Sequence, residues 1–197
     1  LLAAALLWLV AFVQPAIAQT TEVSGVKFNN SVMLAASTLQ LNGAGTRYKT
    51  IIKVYAAALY LPAKATTPEA VLSAPGPKRL QVAMLRDIDA NELGKLFTRG
   101  MEDNSTREEF GKTIAGTLRL ADMFAARKKL VAGDQFTVDY LPGRGTLIAI
   151  NGQQQGEPVK EPEFFNALMR IWLGKSPADA LLKNALLGIS AERVVGG

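Results

Sequence analysis

The chain has 197 residues, a formal net charge of +5, and neither cysteine nor histidine. Without Cys there is no disulfide, thiolate nucleophile or zinc–thiolate site; without His there is no imidazole base, no Ser-His-Asp triad and no ordinary zinc or haem ligation. Any chemistry rests on Arg, Lys, Tyr, Asn, Thr and the carboxylates, and no cofactor is expected.

Residues 1–18, LLAAALLWLVAFVQPAIA, are apolar and uncharged and end in Ala16-Ile17-Ala18 after Pro15. The small-x-small pattern predicts a signal peptide cut after Ala18, and the run from Leu1 to Val13 is shorter than the roughly 20 residues a membrane helix needs. Export to the periplasm follows as an expectation, with residues 19–197 forming a single domain long enough to bury a sizeable core.

The short pieces VKF and VML within Val26–Leu41 predict strands, ending at the turn signal Asn42-Gly43. Thr46 to Leu61 reads as one long β segment, stopped by Pro62. The stretch AKATTPEAVLSAPGPK predicts a loop with one helical turn after Pro68, and RLQVAML, residues 79–85, predicts another strand. Asp89 with Glu92 opens a helix whose stripe is Leu93, Leu96, Phe97, Gly100, Met101 and Asn104. Ser105 with Glu108 opens a second, with Phe110, Ile114, Leu118 and Ala121 as its inner face. The runs QFTVDYL and TLIAI predict two strands joined through Pro142-Gly143-Arg144-Gly145, and Asn151-Gly152 marks a further hairpin turn. Glu161 through Trp172, then Ala178 to Leu187, predict two closing helices. This order is α+β, with helices layered on a mostly antiparallel sheet.

The basic residues are dispersed, the densest cluster being Arg127-Lys128-Lys129. A nucleic-acid surface gathers its charge on one face, so no nucleic-acid partner is expected. Affinity for small anions, and peripheral association with a membrane surface, are compatible with the charge.

Two features carry chemistry. Asn104 ends a helical stripe whose other members are apolar; it is either a helix-end cap or a hydrogen-bond donor to a ligand. Arg47 and Tyr55 stand eight residues apart in the long β segment, and equal parity on one strand puts them on one face. A guanidinium beside a buried surface needs an anion, and a phenol supplies one more hydrogen bond. The pair therefore suits the acid head of an amphipathic ligand; otherwise Arg47 pairs with a protein carboxylate or lies at an exposed strand end. Lys49 and Lys53 share the parity of Arg47, which fits a basic pocket mouth or a solvated face.

The segments GAGTRYKTIIKVYAAALYLP, LFTRGMEDNS and FFNALMRIWLGKSP resemble the chalcone isomerase family, above all its exported bacterial chalcone isomerase-like members, over roughly Val26 to Leu187. The resemblance implies an open-faced β-sandwich, a large antiparallel sheet with helices on one side. In true isomerases an Arg polarises the ketone or phenolate, with Thr, Tyr and Asn as hydrogen-bond partners; fatty-acid-binding members use Arg and Tyr to hold a carboxylate. By resemblance the family Arg falls on Arg47, and the strand Thr of the isomerases falls on Tyr55, where the fatty-acid binders carry Tyr. The helix Tyr falls on Phe97 and the Asn on Asn104, while the polar residue of the closing helix falls near Phe165. A ring at Phe97 and another at Phe165 remove donors that would stabilise a developing enolate.

The resemblance thus implies a non-catalytic exported binder of a small hydrophobic carboxylate or similar anion, with Arg47, Tyr55, Asn104 and Phe97 as ligand-binding residues. Two alternatives stand beside it. One is an intramolecular lyase or isomerase acting on an enone, with Arg47 as electrophile and Asn104 as orienting donor. The other is a periplasmic structural or partner-binding protein whose pocket has closed.

Overall fold

The apolar run ending at Leu61 is a strand buried on both faces, and the rest of the molecule is built outward from it. A computed structural model describes residues 19–189; the signal peptide expected at residues 1–18 lies outside them. In chain order the described elements are β1 (Thr20–Val23), β2 (Val26–Asn29), β3 (Ser31–Leu34), β4 (Ser37–Lys49), β5 (Ile52–Leu61), α1 (Pro68–Ser73), β6 (Lys78–Met84), β7 (Ile88–Asp89) and α2 (Ala90–Asp103). They continue with α3 (Arg107–Gly111), α4 (Ile114–Ala125), β8 (Lys129–Leu130), β9 (Gln135–Leu141), β10 (Gly145–Ile150), β11 (Gln153–Gln154), α5 (Pro162–Leu173) and α6 (Ala180–Leu186).

Among the described residues, seven strands form one antiparallel sheet in the order β11-β10-β9-β6-β5-β4-β3. The α+β architecture expected from the sequence is therefore present, with every pairing in this sheet antiparallel. Alternation along β5 assigns its faces. Tyr55, Ala57 and Leu59 share a core with Leu80, Val82, Phe136 and the inner faces of α2, α4 and α5. Ala56, Ala58 and Tyr60 point the other way, into a second core with Leu39, Leu41, Ala83, Leu141 and Phe28 of the β1–β2 hairpin. A strand covered on both faces reads as a continuous apolar run rather than an alternating one.

Three expectations are corrected. Thr46–Leu61 is not one strand: the chain reverses at Thr50 and Ile51, Thr50 taking a positive φ of 60°, and β4 pairs with β5 as a hairpin. Asn42-Gly43 is not a turn; β4 runs straight through it, with a register irregularity between Leu41 and Gly43. The Asn42 amide donates to Ala65 O and Leu186 O, both at 2.8 Å, and its carbonyl accepts from Ala65 N at 2.8 Å. Gly43 is required because a side chain there would run into the Ala185 carbonyl, and a Cβ on Gly45 would meet the Ala185 methyl at 2.6 Å. The helix expected from Ser105 is two: Thr106 and Glu109 form a reciprocal capping box for α3, and α4 starts afresh at Ile114. The break rotates the inner face to Thr117, Leu120 and Phe124, leaving Ile114 and Leu118 exposed.

Candidate functional site

The β4–β5 register places Arg47 directly opposite Tyr55, so the two side chains share the helix-facing side of the sheet. The Arg47 guanidinium carbon lies 5.7 Å from the Tyr55 ring centroid, within cation–π range. Arg47 is half-buried, and among the described residues it forms no ion pair. Tyr55 is buried and accepts a 2.8 Å hydrogen bond from the Trp172 indole N–H. The phenol's own proton has no acceptor among the described residues. Burial pushes the Tyr55 hydroxyl up to about 12 from the ordinary 10.0, opposed by the Arg47 charge and the Trp172 hydrogen bond. At neutral pH it is therefore a proton-bearing donor.

These groups meet at a cavity of about 200 Å³ between β4–β5, α2 and the α5–α6 loop. Leu93, Leu96, Phe97 and Ile171 give it apolar walls, and Arg99, Asp103 and Ser176 lie at its polar side. A second cavity of about 430 Å³ adjoins it, sharing Arg47 and Leu96 and reaching Lys49 and Arg86. Lys53 is exposed and lines neither.

Phe97 is a core residue with one edge on the cavity. Its ring packs edge-on against Phe124, Phe136 and Trp172, with centroids 5.5, 5.8 and 5.4 Å away. Asn104 is not brought into the cavity lining. It ends α2 and donates to Gly100 O and Ser176 O at 2.9 Å, while its carbonyl accepts from Ser176 N at 2.8 Å. Its role is to hold the loop that forms one wall, the helix-end alternative of the sequence reading. Phe165, placed by resemblance near the family's polar subsite, lies elsewhere, stacked at 5.1 Å on Tyr140 at the far end of β9; Ile171 is the α5 residue that lines the Arg47 cavity.

Sequence reasoning missed Trp172, which orients the phenol, and the Ser176 wall. Both come from the C-terminal part of the chain, and neither has a local pattern that ties it to Tyr55. The single-sided apolar stripe of α5 marks Trp172 only as core.

An antiparallel sheet roofed by helices on one side, with an arginine–tyrosine pair at the mouth of an apolar cleft between them, defines the chalcone isomerase type of fold. The family profile described as chalcone isomerase-like matches residues 20–188, and the chain belongs to that family. Among solved structures, a fatty-acid binding protein of Arabidopsis thaliana superposes with a TM-score of 0.69 at 15% sequence identity, covering 86% of this chain and 96% of its own. No curated protein sequence matches.

Proposed function

We propose that the protein is an exported, non-catalytic binder of a small hydrophobic carboxylic acid, held by its head group at Arg47 and Tyr55. The observation that carries this reading is a pair of unspent donors at the mouth of an apolar cavity: among the described residues, no carboxylate lies within ion-pair distance of the guanidinium and no acceptor takes the phenol's proton. A carboxylate satisfies both, through the planar guanidinium fork and one O–H bond. Trp172 fixes the phenol's orientation, and the tail lies along Leu93, Phe97 and Ile171. The family's fatty-acid-binding structural relative supports the ligand class. At about 200 Å³ the cavity beside Tyr55 is below the roughly 300–1,000 Å³ of drug-sized sites and takes a short aliphatic chain or a single ring, the adjoining space of about 430 Å³ lying on the other side of Arg47 and Leu96.

Two observations weigh against the isomerase alternative. Asn104 has its amide committed to Gly100 and Ser176, leaving no donor for an enolate. A phenol pushed to about 12 is a hydrogen-bond donor at neutral pH rather than a base. The route in is the β4–β5 tip, where Ile51 is 87% exposed between Lys49 and Lys53. An apolar residue flanked by lysines suits peripheral contact with an anionic lipid surface.

The test uses residues 19–197, whose single tryptophan is Trp172. Octanoate should saturably change its emission, and native mass spectrometry should find an acid on the protein purified from its host. Arg47→Ala should abolish both while leaving the melting transition in place. If Arg47→Ala lowers stability sharply and wild type ignores octanoate and single-ring acids alike, the arginine is structural and the carrier reading fails.

A further inference from the structure

A second cationic side chain sits unpaired at the opposite end of the same sheet face. Lys78 opens β6 and shares the parity of Leu80, Val82 and Met84, so it points into the helix side. Met84 lies beside Tyr55, six residue steps along the strand from Lys78, roughly 20 Å at about 3.3 Å per step. Lys78 is 3% exposed. Its Nζ stands 4.8 Å from the Tyr140 ring centroid and 5.6 Å from that of Phe165. Among the described residues it makes no hydrogen bond and no ion pair; Glu161 and Glu163, at the start of α5, are not within ion-pair distance. Lysine is almost never buried without a partner, because desolvating an ammonium is costly. Burial lowers its pKa from the ordinary 10.5, and no neighbouring charge opposes the shift.

The ammonium borders a cavity of about 300 Å³, rimmed by Pro75, Pro142 and Pro162 and floored by Tyr140 and Phe165. Proline rims lose little freedom when a ligand binds. A second, independent feature points at the same space. The N-terminal end of α5, a helix of 12 residues, lines this cavity through Pro162, Phe165 and Asn166, and its N-cap residue Glu161 makes no side-chain capping bond. An uncapped N-terminus carries partial positive charge and favours an anion.

We propose that this cavity is a second small-ligand site, in which Lys78 and the start of α5 hold the carboxylate of a single-ring organic acid against Tyr140 and Phe165. The site goes beyond the carrier reading and shares no residue with the Arg47 cavity, so either can fail alone. The rings offer a flat apolar wall, the ammonium a point charge, and Asn166 an amide at the rim.

The experiment follows the Lys78 side-chain resonance in protein carrying 13Cε,15Nζ-lysine, assigned with Lys78→Met, during titration with benzoate. Benzoate should shift this resonance saturably and raise its titration midpoint by a unit or more, the mark of an anion that binds the charged amine about tenfold more tightly than the neutral one. The shift should persist in Arg47→Ala, and the response of the Tyr140 and Phe165 ring signals should disappear in Lys78→Met. Methionine keeps the length of the side chain and removes an unpaired charge from a largely buried residue, so this variant is expected to fold with a melting temperature no lower than wild type. A Lys78 resonance blind to benzoate overturns the proposal, as does a ring response that survives in Lys78→Met.

Discussion

Tyr55 and Tyr60 lie five residues apart on β5 and therefore on opposite faces, and the difference between them is one hydrogen bond. Tyr55 accepts from Trp172, whereas the Tyr60 hydroxyl is buried with no partner among the described residues. Tyr55→Phe leaves the Trp172 N–H unsatisfied in the core, so it should cost about 1–3 kcal/mol in denaturant unfolding and weaken acid binding. Tyr60→Phe removes an unsatisfied atom and should leave stability unchanged or raised. The same pair sets an alkaline limit. Each hydroxyl is pushed from 10.0 to about 12, Tyr55 by burial against the opposing Arg47 charge and Tyr60 by burial against that of Arg79. The folded state then holds these protons more tightly than the unfolded chain, so their contribution is complete below pH 10 and is lost as pH rises to 12. For the fully buried Tyr55 the loss is about 3 kcal/mol, at 1.36 kcal/mol per unit. Lys78 acts with the opposite sign: its pKa is depressed, so stability rises with pH until its ordinary 10.5 is reached. Unfolding measured against pH should therefore crest near pH 10 and fall beyond it, with the alkaline part of the rise, leading up to the crest, absent from Lys78→Met.

At the scale of elements, the decisive seam is β4 against α6. Gly43 and Gly45 let the strand and helix backbones touch, and Asn42 bridges them. Gly43→Ala would push a methyl into the Ala185 carbonyl and should cost at least about 1–3 kcal/mol, visible as a lower denaturation midpoint with unchanged slope. This seam also shows where sequence reading stops. Asn-Gly is a strong turn signal in isolation, yet here both residues are spent on a helix more than a hundred positions away. The facing of Arg47 and Tyr55 holds although its premise, one continuous strand, does not. Eight residues put them on one face of a single strand, and a hairpin turning at Thr50 and Ile51 with a one-residue irregularity brings the same two residues into register. The apolar stripe of α2 was equally plain. The face of α4 was not, because the break at Lys112 and Thr113 resets the helical phase and no single residue there announces it. Lys78 was invisible, since a lysine at a strand start reads as solvated until the helix that covers it is in place.

For the whole molecule, the site is assembled from both ends of the chain. Arg47 and Tyr55 arrive early, while Trp172, Ile171 and Ser176 arrive near the end. A fragment ending at residue 160 would keep the hairpin and lose α5 and α6, exposing Tyr55, Phe97 and Phe136, which those helices help to bury. It should be insoluble or melt without cooperativity in calorimetry. A cooperative transition in that fragment would show that the closing helices are dispensable to the fold.

The distance in sequence between β4 and α6 also bears on timing. A strand whose glycines wait for a helix at residues 180–186 cannot complete its packing while the intervening chain is still being made. For most of its synthesis the polypeptide is held back from its final state by its own connectivity, with its longest strand lacking one of the layers that cover it. The packing of the longest strand is thus completed only by a late segment of the chain, through two glycines and an asparagine.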